Sequence, residues 1–315
     1  MNTFFLDRLN SEPHALAFAG QSTPWPVALA DQSANPALDE ALHTHAAAAQ
    51  ALLYPVSAEL LATTGRPVDL FGFEPNPARL GAAAAASASV PGIALTQLGA
   101  LLDAAALGYN PTQAKPVAVL GHSQGVLAVH MVQAICEAGS IDAAAAKIDE
   151  ILAIATLIGV AGTRQARQLG LAARHGEATP MLSVKDITRA QVDALIERVD
   201  GARGPIAVAV TNSATHYVLS GYPEDLAAFG VEVAKEHKRQ AQLREEKVRG
   251  GRVFNPVLEY LDVTLPFHSP LMADAVSQAV AWAEACGINA DHARELAAEV
   301  LLNHVDWDAR VRRSE

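Results

Sequence analysis

Apolar runs separated by Gly, Pro and polar breakers predict an alternation of strands and helices along the chain. The run at 14–20 (HALAFAG) predicts a buried strand that ends in a polar turn. Apolar spacing over 35–62 predicts helices, and high alanine propensity favours a helix over a low-complexity linker at 81–90. The run at 151–162 (ILAIATLIGVAG) is shorter than the ~20 residues that cross a bilayer, and it predicts a buried helix.

The pattern changes between residues 178 and 265, where short strands become frequent. Strands are predicted in MLSVKD, IAVAVTNSA, HYVLSGY and LDVTL, with helices in TRAQVDALIERV and PEDLAAFGVEVAKEHKRQ. The resulting order, β-α-β-β-α-β, is the ferredoxin-like arrangement. We therefore predict an α/β core formed by residues 1–177 and 266–315, a ferredoxin-like subdomain at 178–265 inserted into it, and a cleft between the two.

A serine lies on a tight turn between a predicted strand and a predicted helix. Residues 116–125 read PVAVLGHSQG and the apolar segment VLAVHMVQAI follows, which is the context that a nucleophile elbow requires. This predicts an α/β-hydrolase-like core with a parallel sheet and Ser123 as nucleophile, and the Gln124 N–H as an oxyanion donor. Gly121 and Gly125 would let strand and helix approach closely. An ordinary turn with an exposed serine is the alternative.

A serine nucleophile needs a base, and histidine is the usual one. In TLPFHSPLM, His268 follows a predicted strand and stands between two prolines that stiffen its loop. Spacing alone leaves other histidines open: His130, His175, His216, His237, His292 and His304. A hydrolase triad would also need an acid between elbow and base, and four are available: Asp186, Asp193, Asp225 and Asp262.

Composition narrows the function classes. The composition of the 315-residue chain, with 50% hydrophobic and 18% charged residues, is typical of a folded globular protein. Its formal net charge of −11 argues against nucleic-acid binding, and no membrane span is expected. Cys136 and Cys286 lack metal or redox spacing, and no export signal opens the sequence, so we expect a cytoplasmic protein without a metal site.

Several motifs together resemble one family. The segments FAGQSTPW, GHSQG, NSATHYVLSG and PFHSPLM, in this order, resemble the malonyl and acetyl acyltransferases. Together with VPGIALTQLGAL, LIGVAGT, KVRGGRVFNPV and VDW, they look like the acetyltransferase domain at the N-terminus of the actinobacterial type I fatty acid synthase. That family continues into a further strand and a Gly-Pro-Gly turn, so we expect the sequence to be part of a multienzyme polypeptide.

The resemblance implies roles for individual residues. Ser123 would carry the acyl group and His268 would be its base, oriented by a main-chain carbonyl near Val300. The main-chain N–H groups of Gln21 and Gln124 would form the oxyanion hole, although the family's Gly-Gln-Gly turn is Gly-Gln-Ser here. His122 and Asn212 would line the substrate pocket. Gln21 and Asn212 could also be ordinary turn residues.

The substrate-selecting position differs from that of malonyl transferases. Those enzymes carry an arginine that pairs with the malonyl carboxylate, whereas the equivalent position in LIGVAG holds Ile158. An isoleucine leaves that charge unpaired, which predicts an uncharged acyl group such as acetyl. The alternative is that Ile158 is a core residue and that Arg164 or Arg167 supplies the cation.

The resemblance also implies partners. The expected reaction moves an acetyl starter group from acyl-CoA to the phosphopantetheine of an acyl carrier protein through a seryl ester, with no intrinsic cofactor. Other domains of a homo-oligomeric synthase would be further partners. Arg249 and Arg252 are candidates for diphosphate contact or members of a solvated loop. A malonyl or palmitoyl transferase, a serine hydrolase or thioesterase, and a non-catalytic docking domain remain alternatives.

Overall fold

The computed structural model describes residues 8–20, 24–65, 67, 69, 86–171, 178–245 and 254–313. Four residues discussed above, Gln21, His175, Arg249 and Arg252, lie outside these ranges, as does the first half of the alanine-rich stretch 81–90.

The described residues include seven strands, the twelve α-helices named below and a helical turn at 8–11. The strands are β1 (Ala15–Phe18), β2 (Ala118–Gly121), β3 (Met181–Lys185), β4 (Ala207–Ser213), β5 (His216–Ser220), β6 (Val257–Tyr260) and β7 (Val305–Asp306). The helices are α1 (Trp25–Ser33), α2 (Pro36–Leu52), α3 (Ser57–Thr64), α4 (Ala86–Ala106), α5 (Pro111–Ala114), α6 (Val126–Ala138), α7 (Ile141–Gln168), α8 (Arg189–Ile196), α9 (Pro223–Glu245), α10 (Ala273–Ala285), α11 (Ala290–Leu301) and α12 (Trp307–Arg312). Short 3₁₀ turns occupy Tyr54–Val56, Ser123–Gly125 and Pro270–Met272.

Helix α7 is the centre of the large hydrophobic core. All twelve residues at 151–162 are buried, as predicted for this segment. Helix α4 packs along α7 so closely that a Cβ on Gly159 would lie 2.4 Å from the Ala86 carbonyl oxygen. Of the helices in the described ranges, α4 is the one long and apolar enough to span a membrane, and 72% of its apolar window is buried in this core.

Strands β1 and β2 pair in parallel beneath these helices. Ala15 lies opposite Ala118 and Phe18 lies opposite Gly121, so both strands end at the same level. The strand predicted at 14–20 and the parallel pairing expected for the core are confirmed, but the expected burial of this strand is wrong, because its residues alternate between exposed and half-buried. The carboxyl ends of the two strands therefore lie side by side, where ligands usually bind in parallel α/β sheets.

A second sheet contains five strands in the order β6-β3-β5-β4-β7. Neighbours among the first four are antiparallel, and β7 is parallel to β4. Helices α8 and α9 contribute to a separate apolar cluster with this sheet. The order of strands and helices from β3 to β6 is the predicted ferredoxin-like one. The boundaries at 178 and 265 remain a prediction, and β7 adds a strand from outside them.

One predicted strand is wrong. The segment LDVTL at 261–265 is not a strand, and the fourth strand of the ferredoxin-like order is Val257–Tyr260. The chain leaves the sheet after Leu261 because the Val263 N–H turns back to the Leu261 carbonyl, at 2.8 Å. Val263 and Leu265 are then buried in the large core, which explains why this apolar run resembles a strand.

Candidate active site

The predicted elbow is a strand–turn–helix unit in the structure. Strand β2 ends at Gly121, Ser123 begins a 3₁₀ turn, and α6 starts at Val126. Ser123 has a φ of 53°, in the left-handed region that non-glycine residues rarely adopt. This backbone turns the serine side chain away from the strand direction, as a nucleophile elbow requires.

Two glycines allow the chain to pass close to the elbow. A Cβ on Gly125 would lie 2.2 Å from the Phe18 carbonyl oxygen, and a Cβ on Gly20 would lie 2.9 Å from Ser123 Cβ. Both separations are far below a normal contact, so only glycine fits at either position. The end of β1 therefore lies directly against the elbow, which is the close approach expected of Gly125.

The serine and the predicted base are in hydrogen-bond contact. Ser123 Oγ lies 2.8 Å from His268 Nε2, and both residues are buried, with 9% and 3% of their surface exposed. His268 Nδ1 lies 2.8 Å from the Asn303 carbonyl oxygen. A carbonyl only accepts hydrogen bonds, so Nδ1 carries the ring proton and Nε2 presents a lone pair to the serine hydroxyl.

Two main-chain contacts hold the base in its loop. The His268 N–H donates to the Leu301 carbonyl at 2.8 Å, and the Asn303 carbonyl holds the ring. His268 has a φ of 57°, so the base, like the nucleophile, lies in the left-handed region. The orienting carbonyl belongs to Asn303, three residues beyond the position near Val300 expected from the sequence. No carboxylate occupies this place, which sets the pair apart from a Ser-His-Asp triad.

Burial strongly favours the neutral imidazole. It lowers the pKa of His268 to about 3; the Asn303 carbonyl opposes this shift, and His122, His304 and Arg310 add to it. At neutral pH the ring is therefore unprotonated, which is the state that accepts a proton from serine.

His122 and Asn212 are also brought together. His122 Nε2 lies 2.9 Å from Asn212 Oδ1, which links the elbow to strand β4 of the second sheet. The ring of Trp307 packs edge-on against the His122 ring, with 5.2 Å between centroids. These contacts bring the two residues predicted to line the pocket together, and their substrate-binding role stays a prediction.

The predicted oxyanion hole lies only partly within the described residues. Gln124 is fully buried in the middle of the 3₁₀ turn, and its main-chain nitrogen would lie 3.3 Å from a Cβ on Gly20. The other predicted donor, Gln21, lies outside the described residues. The donor role of either residue stays a prediction.

Ile158 is fully buried in α7 within the large core. The two alternative cations are exposed and engaged elsewhere: Arg164 donates to Gln278 Oε1 at 2.8 Å, and Arg167 donates to the Thr63 carbonyl. Arg164 thus contacts α10 and Arg167 contacts α3, both at the surface. Neither arginine is a buried cation on α7.

Several of the other candidate bases and acids have partners away from Ser123. Among the histidines, His130 faces Glu299, His237 the Phe254 carbonyl and His292 Glu150. His216 Nε2 lies 3.0 Å from Ser183 Oγ, a second Ser–His contact whose serine is only 2% exposed. Asp193 pairs with Arg189, and Asp225 accepts from the main-chain nitrogens of Arg203 and Gly204. Within the described ranges no group of three or more His, Cys, Asp or Glu residues could hold a metal ion.

Sequence reasoning missed the contacts made by residues 303–310. Besides the Asn303 carbonyl, Arg310 Nη1 donates to the Gly121 carbonyl at 2.6 Å, and Trp307 contacts His122. The VDW motif was visible in the sequence, but nothing in its local pattern indicated which distant residues it would contact.

Comparison with known proteins gives a sequence match over part of the chain and a shared fold. Residues 180–260 match the model of the fatty acid synthase central AT domain. The chain is 27% identical over 164 residues to the fatty acid synthase beta subunit hexB of Dothistroma septosporum, an alignment covering 48% of this chain and 8% of that protein. The chain thus spans a small fraction of this relative's length.

Solved structures share the fold of this chain. The malonyl CoA-acyl carrier protein transacylase of Clostridium perfringens is 17% identical, with a TM-score of 0.59 over 96% of this chain and 82% of that one. A malonyl-transacylase solved with its type II polyketide synthase acyl-carrier protein is 18% identical, with a TM-score of 0.56 over 96% and 85%. At these identities the likeness establishes the malonyl-transacylase fold. The chain therefore has the malonyl-transacylase fold, and its sequence is similar to the acyltransferase region of fatty acid synthases.

Proposed function

We propose that this domain transfers an acetyl starter group from acetyl-CoA to the pantetheine thiol of an acyl carrier protein, through an ester on Ser123. The observation that carries the proposal is the buried series from Ser123 Oγ to His268 Nε2 and from His268 Nδ1 to the Asn303 carbonyl. A serine that donates to an oriented, neutral imidazole is the arrangement needed for acyl transfer.

In the first half-reaction, His268 Nε2 takes the hydroxyl proton while Ser123 Oγ attacks the thioester carbonyl carbon. The main-chain N–H of Gln124 stabilises the negative charge that forms on the carbonyl oxygen, and the family resemblance proposes Gln21, outside the described residues, as the second donor. The C–S bond then breaks, the imidazolium returns its proton to the departing coenzyme A sulfur, and the acetyl group remains on Ser123. The Asn303 carbonyl stabilises the imidazolium while it exists.

In the second half-reaction, the carrier thiol loses its proton to His268 and attacks the seryl ester. The tetrahedral intermediate collapses, the proton goes to Ser123 Oγ, and the acetyl group leaves on the carrier. In each half-reaction His268 first accepts a proton and then returns it. The proposal therefore needs no separate cofactor.

The choice of an acetyl group rests on Ile158. It is buried in the segment that resembles the malonyl-selecting helix, and a malonyl carboxylate beside it would lose its hydration without gaining a cation. Because Arg164 and Arg167 engage Gln278 and Thr63, neither offers the compensating charge.

The carrier protein is proposed by analogy. A neighbour with the same fold was solved with its acyl-carrier protein, and the sequence relatives are fatty acid synthases. We further propose that other domains of a homo-oligomeric synthase surround this one in the cytoplasm, where the free thiols Cys136 and Cys286 would stay reduced.

The test lets two acyl donors compete for the protein and then compares two acyl acceptors. The protein is mixed with equal acetyl-CoA and malonyl-CoA, and the acyl-enzyme is then offered carrier protein, or buffer alone. We expect acetyl loading to exceed malonyl loading at least ~10-fold, and transfer to carrier to be far faster than release to water. Preferential malonyl loading would overturn the role of Ile158, and equally fast loss to water would make the domain a hydrolase.

A further inference from the structure

One continuous segment contacts both members of the Ser123–His268 pair. At its beginning, the Leu301 and Asn303 carbonyls bind the His268 main chain and ring. Six to nine residues further on, Trp307 packs against His122 and Arg310 donates to the Gly121 carbonyl. The base loop and the elbow are thus held by the same ten residues, 301–310, here called the linking segment.

The linking segment is attached to the second sheet as well. Its strand β7 pairs with β4, with Val305 opposite Val210 and Asp306 opposite Thr211. The His304 side chain makes two further contacts with the same strand: Nδ1 lies 2.8 Å from the Val208 carbonyl, and Nε2 lies 3.2 Å from Thr211 Oγ1. Because the carbonyl can only accept, Nδ1 carries a proton, and in the neutral ring Nε2 then accepts from the threonine hydroxyl.

The position of His304 in the backbone makes these contacts important. The carbonyl that orients His268 belongs to the peptide unit joining Asn303 to His304, so rotation of that unit swings the oxygen away from Nδ1. Fixing the His304 ring at two points on β4 restricts this rotation. The next residue of β4 beyond Thr211 is Asn212, whose side chain bonds His122 beside the nucleophile.

We propose that His304 and Trp307 are positioning residues that set the Ser123–His268 pair relative to strand β4. His304 acts on the base through the Asn303 carbonyl, and Trp307 acts on the nucleophile side through the His122 ring. Neither touches the reacting atoms. The expected effect on kcat rests on the proposed acyl transfer. The expected effect on the position of the His268 ring rests on the described contacts alone.

The main test is His304→Ala, with His304→Asn as rescue, because the asparagine amide places a donor near the Nδ1 position. We expect kcat for acetyl loading to fall about 10-fold in the alanine variant with KM for acetyl-CoA nearly unchanged, and most of the loss to be restored by asparagine. His43→Ala is the matched control, since His43 is an exposed histidine on α2 that also bonds a main-chain carbonyl.

A second readout does not depend on activity. The proton on His268 Nδ1 is hydrogen-bonded to a carbonyl in a buried site and should give a resolved downfield NMR resonance. We expect it to shift or broaden in His304→Ala, and to stay in place in His43→Ala. Trp307→Leu should instead move the His122 ring resonances, and Trp307→Phe should leave them close to those of the native protein.

The outcomes separate the two proposals. If the native protein forms no seryl ester, the proposed function fails while the resonance still tests the positioning role. If His304→Ala keeps native kcat and an unchanged His268 resonance, the positioning role is overturned although the domain remains an acyltransferase. Should His304→Ala not fold, Thr211→Val removes only the Nε2 partner, and an unchanged resonance in that variant would overturn the role of the His304 ring.

Discussion

The nucleophile and the base are positioned by two different kinds of structure. Ser123 lies in a local unit in which strand β2, a 3₁₀ turn and helix α6 follow each other without interruption. His268 lies in a loop whose two main-chain partners, Leu301 and Asn303, are more than thirty residues further along the chain. Both residues adopt the left-handed backbone region, with φ values of 53° and 57°.

This difference determines what can disturb each group. The elbow depends on space, because the chain before and after it passes so closely that only glycine fits at positions 20 and 125. The base depends on the location of a distant backbone segment and on burial, which keeps its ring neutral. Steric substitutions should therefore affect the nucleophile side, whereas changes in residues 301–310 should affect the base side.

The largest expected effect is the loss of the base itself. His268→Ala should slow acylation by about 10³-fold or more, because the serine hydroxyl then lacks a proton acceptor. Single-turnover acylation by acetyl-CoA measures it. His216→Ala is the matched control, since it removes the histidine of the second Ser–His contact. Equal losses in both variants would mean that the two pairs are not functionally different.

The next largest expected effect is a steric clash in the elbow. Gly125→Ala places a methyl group 2.2 Å from the Phe18 carbonyl oxygen, and we expect it to lower the free energy of unfolding by about 2–4 kcal/mol. Urea denaturation measures the change. Gly230→Ala in α9 is the control, because its nearest neighbour, Leu258 Cδ1, would be 3.7 Å away and alanine favours helix. If Gly125→Ala had an unchanged free energy of unfolding, the close approach of Gly125 to the Phe18 carbonyl would be contradicted.

The third effect concerns pH and the base. The pKa of His268 is lowered to about 3 in the folded protein, so the unfolded chain takes up a proton near pH 6.5 that the folded one does not. The free energy of unfolding should therefore decrease between pH 7 and pH 5, with His268 contributing on the order of 1–2 kcal/mol. His268→Gln should reduce this decrease. An identical pH dependence in both proteins would mean that His268 titrates normally.

The same shift predicts the pH profile of activity. The acid limb of kcat/KM that is due to the base should lie well below pH 6.5, because the neutral ring persists to low pH. A limb centred near 6.5 that disappears with His268 replaced would contradict the burial of the ring.

The smallest expected effect distinguishes the contacts within the His268 loop from the contacts that the distant linking segment makes with His268. Ser269 caps the 3₁₀ turn after His268 by accepting from the Leu271 N–H at 3.3 Å. Ser269→Ala should cost about 1 kcal/mol of stability, with less than about a 3-fold change in acylation. Ser140→Ala, at the N-cap of α7, is the control for the loss of a cap. A loss of acylation as large as that expected for His304→Ala would show that the loop's own contacts position the base.

The same difference explains how much could be predicted from sequence. The elbow was predictable because strand, turn and helix are encoded in consecutive residues, and the β-α-β-β-α-β order followed from local periodicity. The strand predicted at 261–265 was wrong because burial of Val263 and Leu265 in the large core produces the same apolar pattern. The Asn303 carbonyl and the contacts of His304 are tertiary, and a main-chain acceptor leaves no signature in the side chains.

The most direct test of the account is to locate the acyl group. The protein is mixed briefly with acetyl-CoA and analysed by intact mass and peptide mapping, with Ser123→Ala and Ser183→Ala beside it. The account predicts one acetyl group on the peptide containing Ser123, absent from Ser123→Ala and retained in Ser183→Ala, whose hydroxyl is buried against His216. An acetyl group that persists in Ser123→Ala, or no covalent adduct in the native protein, would contradict it.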